Sequence, residues 1–293
     1  MKHPRTRARM KRAALAVGAM LVLSACAGRR HPDDVDGPGA QPPLPDSGYA
    51  TLRVGVATNY PPLAFTQDGK IRGIEPDFVR QLSEDTGVAA TIVEVPWEGL
   101  IDALREKRID VIMSGMSMTR ARSRLVAFAE PYMRVGQMCL IRSDDIARLA
   151  SPTVLFTQPW RVGFINGTTG ELFARKDLPQ ATRIGFDRIE DGVAALHAKR
   201  IDYFIHDAPT IWRVTTDPVF RDDALLGLYQ PLTEEYLAWA VRQDDEALRQ
   251  FLDAVVQRWK DDGTLQRVID RWIRVRLELR PPDRLTGAAG EVP

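Results

Sequence analysis

Two hydrophobic patterns alternate along the chain from residue 51 onward. Short runs of apolar, often β-branched residues are typical of buried strands. They predict strands at residues 51–57, 90–95, 109–114, 136–141, 161–165, 182–186, 201–205 and 236–241. Between several of these runs, apolar residues recur every three or four positions, which is the period of a helix with one buried face.

The first predicted helix is delimited on both sides. Phe78, Val79 and Leu82 share one face. Pro76 falls in the first turn and Gly87 follows the last one. Further helices are predicted around residues 100–104, at 189–199, and in two C-terminal stripes over 248–259 and 265–273. Strands alternating with helices indicate parallel sheets with helices on both faces, and such sheets bind ligands beyond the C-terminal ends of their strands.

The N-terminus has the pattern of a secretory signal. Residues 1–25 contain six basic side chains and no acidic one, and their apolar run, 13–23, is too short to span a membrane. Leu23-Ser24-Ala25-Cys26 resembles the lipobox of bacterial lipoproteins, which implies cleavage before Cys26 and acylation (palmitate and other acyl chains) at its thiol. The alternative is an ordinary signal peptide with a chance cysteine. Residues 26–49 are rich in Pro, Gly and Asp and are predicted to form a tether, and 277–293 a C-terminal tail.

Composition excludes several classes of protein. Of 293 residues, 44% are hydrophobic and 27% charged, which is ordinary for a globular chain. Two cysteines and four histidines without ligand spacing argue against a disulfide scaffold and a zinc site, and we expect no metal and no cofactor. Without the six basic residues of the signal, the chain has 34 of its 40 basic residues and all 39 acidic ones. The resulting net charge of −5 argues against nucleic-acid binding.

The segments that follow the strands resemble a known family. The most specific are D-V-I-M-S-G-M-S-M-T-x-x-R and F-A-E-P-Y within residues 110–132, and G-T-T-x-E at 167–171. In this order they resemble the bacterial extracellular solute-binding proteins of the polar amino-acid class, over residues 51–275. The resemblance implies the α/β fold of type II periplasmic binding proteins, in which two lobes with mainly parallel sheets are joined by two hinge strands. Lobe 1 would comprise residues 51–137 plus 236–276, and lobe 2 residues 138–235.

The resemblance also implies a site for a zwitterion. Arg122 matches the arginine that grips the ligand α-carboxylate, for which a planar guanidinium is well suited. Asp207 matches the acid that binds the α-ammonium, although it could instead be an N-cap before Ala208-Pro209. Arg120 and Arg124 are expected on a solvated face.

The remaining ligand-binding positions carry weaker signals. Each of these residues also has a purely structural interpretation. Ser117 and Gly115 could form a tight strand exit, Thr169 and Thr168 could cap a helix, and Tyr60 and Trp97 could pack in the core. The matched residues are Ser117 and Gly115 for polar contacts to the ligand backbone, Thr169 and Thr168 at a helix start, and Tyr60 and Trp97 against the ligand side chain. Binders of basic amino acids in the family carry an Asp where this chain has Ala57, which disfavours lysine, arginine and histidine as ligands.

These features predict a monomeric binding protein without catalysis. It would be lipid-anchored in the periplasm or at the cell surface, and would deliver a small amino acid to an ABC permease by hinge closure. The chain also resembles cyclohexadienyl dehydratase, an enzyme with the same fold, and in that alternative Glu171 would be the general acid. A ligand-sensing role is a third possibility that the sequence does not separate from transport.

Overall fold

The computed structural model describes residues 43–218 and 221–273, which contain strands, α-helices and two 3₁₀ turns, Trp97–Gly99 and Ser143–Asp145. The strands are β1 Thr51–Val56, β2 Asn59–Tyr60, β3 Ala64–Gln67, β4 Lys70–Arg72, β5 Ala89–Glu94, β6 Val111–Ile112, β7 Ala127–Phe128, β8 Met133–Val135, β9 Gln137–Arg142, β10 Arg161–Ile165, β11 Thr182–Phe186, β12 Tyr203–Asp207, β13 Leu225–Leu228, β14 Glu235–Leu237 and β15 Ala240–Val241. The helices are α1 Ile74–Thr86, α2 Leu100–Arg105, α3 Arg120–Ser123, α4 Ile146–Leu149, α5 Pro152–Thr157, α6 Thr169–Asp177, α7 Ile189–His197, α8 Ala208–Thr216, α9 Glu246–Asp261 and α10 Thr264–Asp270.

Two five-stranded sheets form the framework. The first has the order β5-β1-β6-β15-β7 and the second the order β11-β10-β12-β9-β13. In the first sheet β1 runs parallel to β5 and β6, and only β15 is reversed. In the second, β10 runs parallel to β11 and β12, and only β9 is reversed. The sheets are therefore mainly parallel, as the alternation of strands and helices predicts.

The chain passes between the two sheets twice. Strand β8 leads from the first sheet to the second and β14 leads back, and the two pair antiparallel, from Glu235 opposite Val135 to Leu237 opposite Met133. After this return, α9 and α10 pack on the first sheet. The result is two α/β lobes, each with its own buried core, linked by the strand pair β8–β14. Lobe 1 below means the part built on the first sheet, and lobe 2 the part built on the second.

Helix α1 shows how the sequence sets the core of lobe 1. Gly87 ends the helix in the left-handed conformation (φ 74°), where its N–H bonds the carbonyl of Ser83. The predicted face is buried. Phe78 stacks on Trp259 at 5.6 Å and meets Trp239 edge-on at 5.7 Å. Large aromatic side chains with such contacts dominate the burial energy of a core.

Equivalent ion pairs hold a strand edge in each lobe. Asp110 accepts from the backbone and the guanidinium of Arg53 at 2.7–3.0 Å. Asp202 accepts in the same way from Arg161 at 2.8–3.1 Å. These arginine contacts outweigh the effect of burial and hold the pKa of both carboxyl groups below the usual value. Both acids follow the same three letters, K-R-I, in the sequence.

Three sequence expectations need correction. The predicted strand 236–241 is divided into β14 and β15, because its two halves belong to different sheets. The predicted strand 109–114 is reduced to Val111–Ile112. The last residues of the predicted tether are part of the fold, since Leu44 and Tyr49 pack against the lobe 1 core and the Tyr49 hydroxyl donates to Asp245 at 2.5 Å.

The remaining terminal predictions lie outside the described residues. These are the signal peptide, Cys26, the first part of the tether and the tail 277–293. Within residues 43–218 and 221–273, no helix has the length and apolar character needed to cross a membrane.

Candidate functional site

A cleft opens between the two lobes at the C-terminal ends of their parallel strands. About 520 Å³ of space free of protein atoms lies in the cleft and at its mouth, open solvent included. All eight predicted ligand-binding residues line it: Tyr60, Trp97, Gly115, Ser117 and Arg122 from lobe 1, and Thr168, Thr169 and Asp207 from lobe 2. The other lining residues are Asn59, Gln137, Ile165, Asp187, Ile189 and His206. The side chains therefore converge where an open α/β sheet is expected to bind a ligand.

The Arg122 guanidinium is placed by a short helix. The Thr119 side chain caps α3 by accepting from the Arg122 N–H at 3.2 Å. The guanidinium donates to the carbonyls of Ser117 at 2.8 Å and Gly167 at 3.2 Å, and it lies 5.0 Å from the centre of the Trp97 ring. Burial lowers its pKa, but an arginine stays charged. Five N–H groups are available in a guanidinium, so two such bonds leave donors for an anion.

The Asp207 carboxylate lies at the end of β12. It accepts from the Tyr60 hydroxyl and from the Gln137 side-chain amide. Burial, followed by the negative charge of Glu235, raises its pKa to about 7, although the two donors and Arg122 act in the opposite direction. Asp207 occupies the N-cap position of α8, but its side chain makes no capping bond. The capping alternative therefore does not account for this carboxylate.

Tyr60 has a second role that the sequence does not predict. Its hydroxyl reaches across the cleft to Asp207, so it is a hydrogen-bond donor as well as an aromatic surface. Its ring lies against Gly115, where an added Cβ would stand 2.7 Å from Cε1 of Tyr60. Gly115 also has φ +65°, a conformation that favours glycine. Gly115 therefore forms a tight exit from its strand and lines the cleft at the same time, so the two interpretations of this residue are compatible.

Ser117 leads to an acid that sequence reasoning misses. Its hydroxyl donates to Glu235 at 2.7 Å, and Thr233 donates to the other oxygen of the same carboxylate at 2.7 Å. Glu235 begins β14, one of the two linking strands. Its charge acts on both Arg122 and Asp207, raising the pKa of each. No pattern in the sequence marks this position, because the contact depends on how β14 pairs with β8.

Gln137 is a second missed residue. Its side-chain amide contacts the Thr169 hydroxyl at 3.1 Å and the Asp207 carboxylate. It starts strand β9, and a strand start normally lies away from the binding edge. Because β9 is reversed, Gln137 stands directly opposite Asp207 in the sheet. The orientation of one strand therefore decides whether this residue reaches the cleft.

The start of helix α6 brings Thr168 and Thr169 to the cleft. Thr168 is at the N-cap position, but its hydroxyl donates to the Ile165 carbonyl at 2.6 Å instead of capping. Glu171, the proposed general acid of the dehydratase alternative, accepts from the Gly167 N–H at 2.7 Å and pairs with Arg175 at 2.7 Å. The cleft lining does not include Glu171. This carboxylate closes the first turn of its own helix.

Three further polar residues lie at the cleft. The Nδ1 atom of His206 accepts from the Asp207 N–H at 2.8 Å, and burial lowers the pKa of His206 to about 3, so the ring is neutral with its hydrogen on Nε2. Asp187 and Asn59 contribute an acid and an amide nearer the mouth. The position at which binders of basic amino acids carry an Asp is the buried Ala57 in this chain. Asp187 of lobe 2 nevertheless provides an acid elsewhere in the cleft lining.

The two lobes touch each other across the cleft. The Gly167 carbonyl of lobe 2 accepts from the Trp97 indole at 3.1 Å and from Arg122 at 3.2 Å. The Thr210 hydroxyl of lobe 2 donates to the Pro61 carbonyl at 2.9 Å. Trp97 is half-buried and packs against a core cluster of lobe 1, and its indole also bridges the two lobes.

The described parts of the chain contain no cluster of three or more His, Cys, Asp or Glu that could hold a metal ion. The cleft offers hydrogen-bond donors and acceptors and two opposite charges, Arg122 and Asp207. This arrangement suits recognition of a small polar molecule.

Several known proteins are similar to this chain in sequence or in structure. The L-cystine-binding protein TcyJ of Escherichia coli strain K12 is 27% identical over 224 residues, covering 76% of this chain and 82% of its own. The ABC transporter arginine-binding protein 1 of the same organism is 26% identical over 240 residues, covering 77% and 92%. A crystal structure of the ancestral amino acid-binding protein AncCDT-1, described as a precursor of cyclohexadienyl dehydratase, superposes with a TM-score of 0.70 at 29% identity, covering 76% and 95%.

The superposition confirms the predicted two-lobe type II fold. The relatives are named as binding proteins and not as enzymes, which supports the prediction of a binding protein. The family of bacterial extracellular solute-binding proteins, family 3, matches residues 52–275. This match spans both lobes and the cleft between them, and the chain belongs to that family.

Proposed function

We propose that this protein binds a free amino acid in the cleft and delivers it to an ABC permease. The observation that carries the proposal is the placement of Arg122 and Asp207. They come from different lobes and line the same cleft, and their charged groups are bonded to other partners rather than to each other. A zwitterion that bridges them would complete both charge pairs, and buried charges require such pairing.

The other contacts fit the two ends of an amino acid. The α-carboxylate is assigned to Arg122 and to Thr169, whose hydroxyl lies at the start of α6 where unpaired backbone N–H groups favour an anion. The α-ammonium is assigned to Asp207, with Ser117 and the backbone of Gly115 on the opposite side of the cleft. The ligand side chain would then extend along Trp97 and Tyr60.

Binding would be coupled to closure of the two lobes. The half-sites lie on separate sheets, and in the described part of the chain the strand pair β8–β14 and contacts across the cleft link these sheets. A ligand that bonds to both halves favours the closed state by its additional contacts there. The closed state is the form that a permease would recognise. The transport role is supported by relatives named as amino-acid-binding proteins, one of them of an ABC transporter.

A ligand panel tests the amino-acid assignment. The full-length chain, purified in mild detergent, is heated with each of the twenty proteinogenic L-amino acids and with L-cystine. A ligand that binds only the folded state raises the melting temperature in proportion to the logarithm of its concentration. The panel includes the basic amino acids, which the residue Ala57 disfavours and the presence of Asp187 in the cleft favours. If no amino acid raises the melting temperature at millimolar concentration, the proposal fails.

A matched pair of variants tests the site. Arg122→Ala removes the guanidinium from the cleft, whereas Arg120→Ala removes an exposed one two residues earlier in the same helix. We expect Arg122→Ala to weaken binding at least about 100-fold, since it removes charge-assisted hydrogen bonds. Arg120→Ala should bind like the wild type. Equal affinities for both variants, measured by calorimetry, would show that the carboxylate is bound elsewhere.

We also propose that the mature protein is held at a membrane outside the cytoplasm by lipid on Cys26. The support is the sequence Leu23-Ser24-Ala25-Cys26 after a basic and apolar leader. A single acyl chain binds a membrane only marginally, so more than one chain is expected at this cysteine. Cells grown with labelled palmitate should incorporate the label into the wild type and not into Cys26→Ser. Equal labelling of both would refute the anchor.

A further inference from the structure

A buried carboxylate outside the cleft contacts the backbone of the cleft. Glu75 is fully buried at the start of α1. It accepts from the Gly115 N–H at 2.6 Å, from the Tyr132 hydroxyl, and from the Trp239 indole at 3.1 Å. Three donors therefore converge on one carboxylate that does not itself line the cleft.

Other acids on α1 also accept from indole groups, but they do not reach the cleft. Asp77 accepts from Trp272 at 3.0 Å, and Asp85 accepts from Trp259 at 2.8 Å. The helix thus uses acids repeatedly to tie down large aromatic side chains of the lobe 1 core. Only the bonds of Glu75 include a backbone group of a cleft residue. An account based on core packing alone would treat Glu75 and Asp85 alike.

The contact holds one peptide group in a segment whose neighbours are held by other bonds, from the Met113 N–H to the Gly55 carbonyl and from the Ala238 N–H to the Met116 carbonyl. Gly115 follows the short strand β6 and has φ +65°, and glycine in such a position has more conformational freedom than any other residue. The bond to Glu75 sets the orientation of the peptide group between Ser114 and Gly115. The Tyr60 ring rests on Gly115, and the Tyr60 hydroxyl donates to Asp207.

We infer that Glu75 is a positioning residue for ligand binding. It holds the Gly115 backbone in place and, through the Tyr60 ring that rests on it, helps to set the donor to the Asp207 carboxylate. The inference rests on the proposed function, because it names a supporting residue of that same site. Burial raises the pKa of Glu75 to about 7, and the three converging donors limit this rise because they favour the charged form.

Graded substitution tests the positioning role. Glu75→Gln retains the shape and one acceptor oxygen but lacks the negative charge, and Glu75→Leu has no acceptor at all. For each panel amino acid that binds the wild type, we expect the Kd from calorimetry to rise about threefold in Glu75→Gln and about tenfold in Glu75→Leu. The control is Asp85→Asn, in which a neutral amide replaces another indole-accepting carboxylate of the same helix. It should lower the unfolding midpoint while its Kd stays within twofold of the wild type.

A direct measurement keeps the test independent of how Glu75→Leu folds. In protein labelled with ¹⁵N-glycine, the amide proton of Gly115 should resonate well downfield, as expected for a short bond to a carboxylate, and should move upfield in Glu75→Gln. The same proton should be unaffected by Asp85→Asn. An unchanged Gly115 resonance, or wild-type affinity in Glu75→Gln and in any folded Glu75→Leu, overturns the inference. If the wild type binds no amino acid in the panel, it is the proposed function that fails.

Discussion

Lowering the pH should weaken ligand binding through Asp207. Its pKa is raised to about 7 in the ligand-free protein, mainly by burial and then by Glu235. Only the ionised carboxylate can pair with an α-ammonium, and that pairing lowers the pKa again in the complex. With a pKa of 7, about 90% of Asp207 is ionised at pH 8 and about 1% at pH 5. The Kd should therefore rise about 100-fold between pH 8 and pH 5, which corresponds to about 2.7 kcal/mol.

The stability of the ligand-free protein should change in the opposite sense. The pKa of Asp207 is higher in the folded state than the ordinary value of 3.8 in the unfolded chain. Its contribution to stability is therefore fully present below about pH 4 and is lost as the pH rises through about 7. Asp207→Asn lacks this titration, so its unfolding free energy relative to the wild type should be higher at pH 8 than at pH 5.

Calorimetry at pH 8, 7, 6 and 5 tests the affinity prediction. Buffers with different ionisation enthalpies report protons, and binding at pH 6 should release close to one proton per ligand. Asp207→Asn is the control, and its much weaker binding should be nearly independent of pH. A wild-type Kd that stays within threefold from pH 8 to pH 5, with no proton release, would refute the assignment of Asp207 to the ammonium.

Three further substitutions test separate parts of the structure. Gly115→Ala places a Cβ against the Tyr60 ring at a residue with positive φ. The free energy of unfolding in urea should fall by at least about 1 kcal/mol, and ligand binding should weaken. An unchanged unfolding midpoint would contradict the observed contact. Trp97→Phe removes the indole bond to the Gly167 carbonyl, so the radius of gyration of the ligand-free protein, measured by X-ray scattering, should increase. A radius equal to that of the wild type would mean that this bond does not hold the lobes together. Glu235→Gln removes a negative charge that raises the pKa of Asp207, so the pH at which ligand affinity declines should become lower. If the midpoint of this pH dependence is unchanged or higher, the proposed electrostatic effect is excluded.

Much of the fold follows from local hydrophobic patterns. Strands β10 and β11 begin and end where the sequence predicts, and each is followed directly by a polar residue, Asn166 or Asp187. Helix α1 has its proline in the first turn and its glycine cap at the predicted places. The segment 236–241 is different, since a continuous run of apolar residues does not show that its two halves join different sheets.

The site divides in a similar way. Arg122 lies beyond, and Asp207 at, the C-terminal end of a parallel strand, where a ligand is expected, and their binding roles come from the resemblance of the sequence to the solute-binding family. Gln137 could not be found from the sequence, because it reaches the cleft only through the reversal of β9. The position of Glu235 at the cleft depends on the pairing of the two linking strands, which the sequence does not show. In the sequence, Glu75 has the pattern of an exposed acid that stabilises the first turn of a helix, but in the structure it is fully buried.

The central claim is that both ends of an amino acid are bound at once, the carboxylate by Arg122 and the ammonium by Asp207. Calorimetry with an amino acid that binds, with the amine formed by its decarboxylation, and with the acid that lacks its amino group tests this most directly. We predict that each analogue, lacking one of the two charged ends, binds at least about 100-fold more weakly than the amino acid. An analogue that binds as tightly as the amino acid itself would contradict the claim.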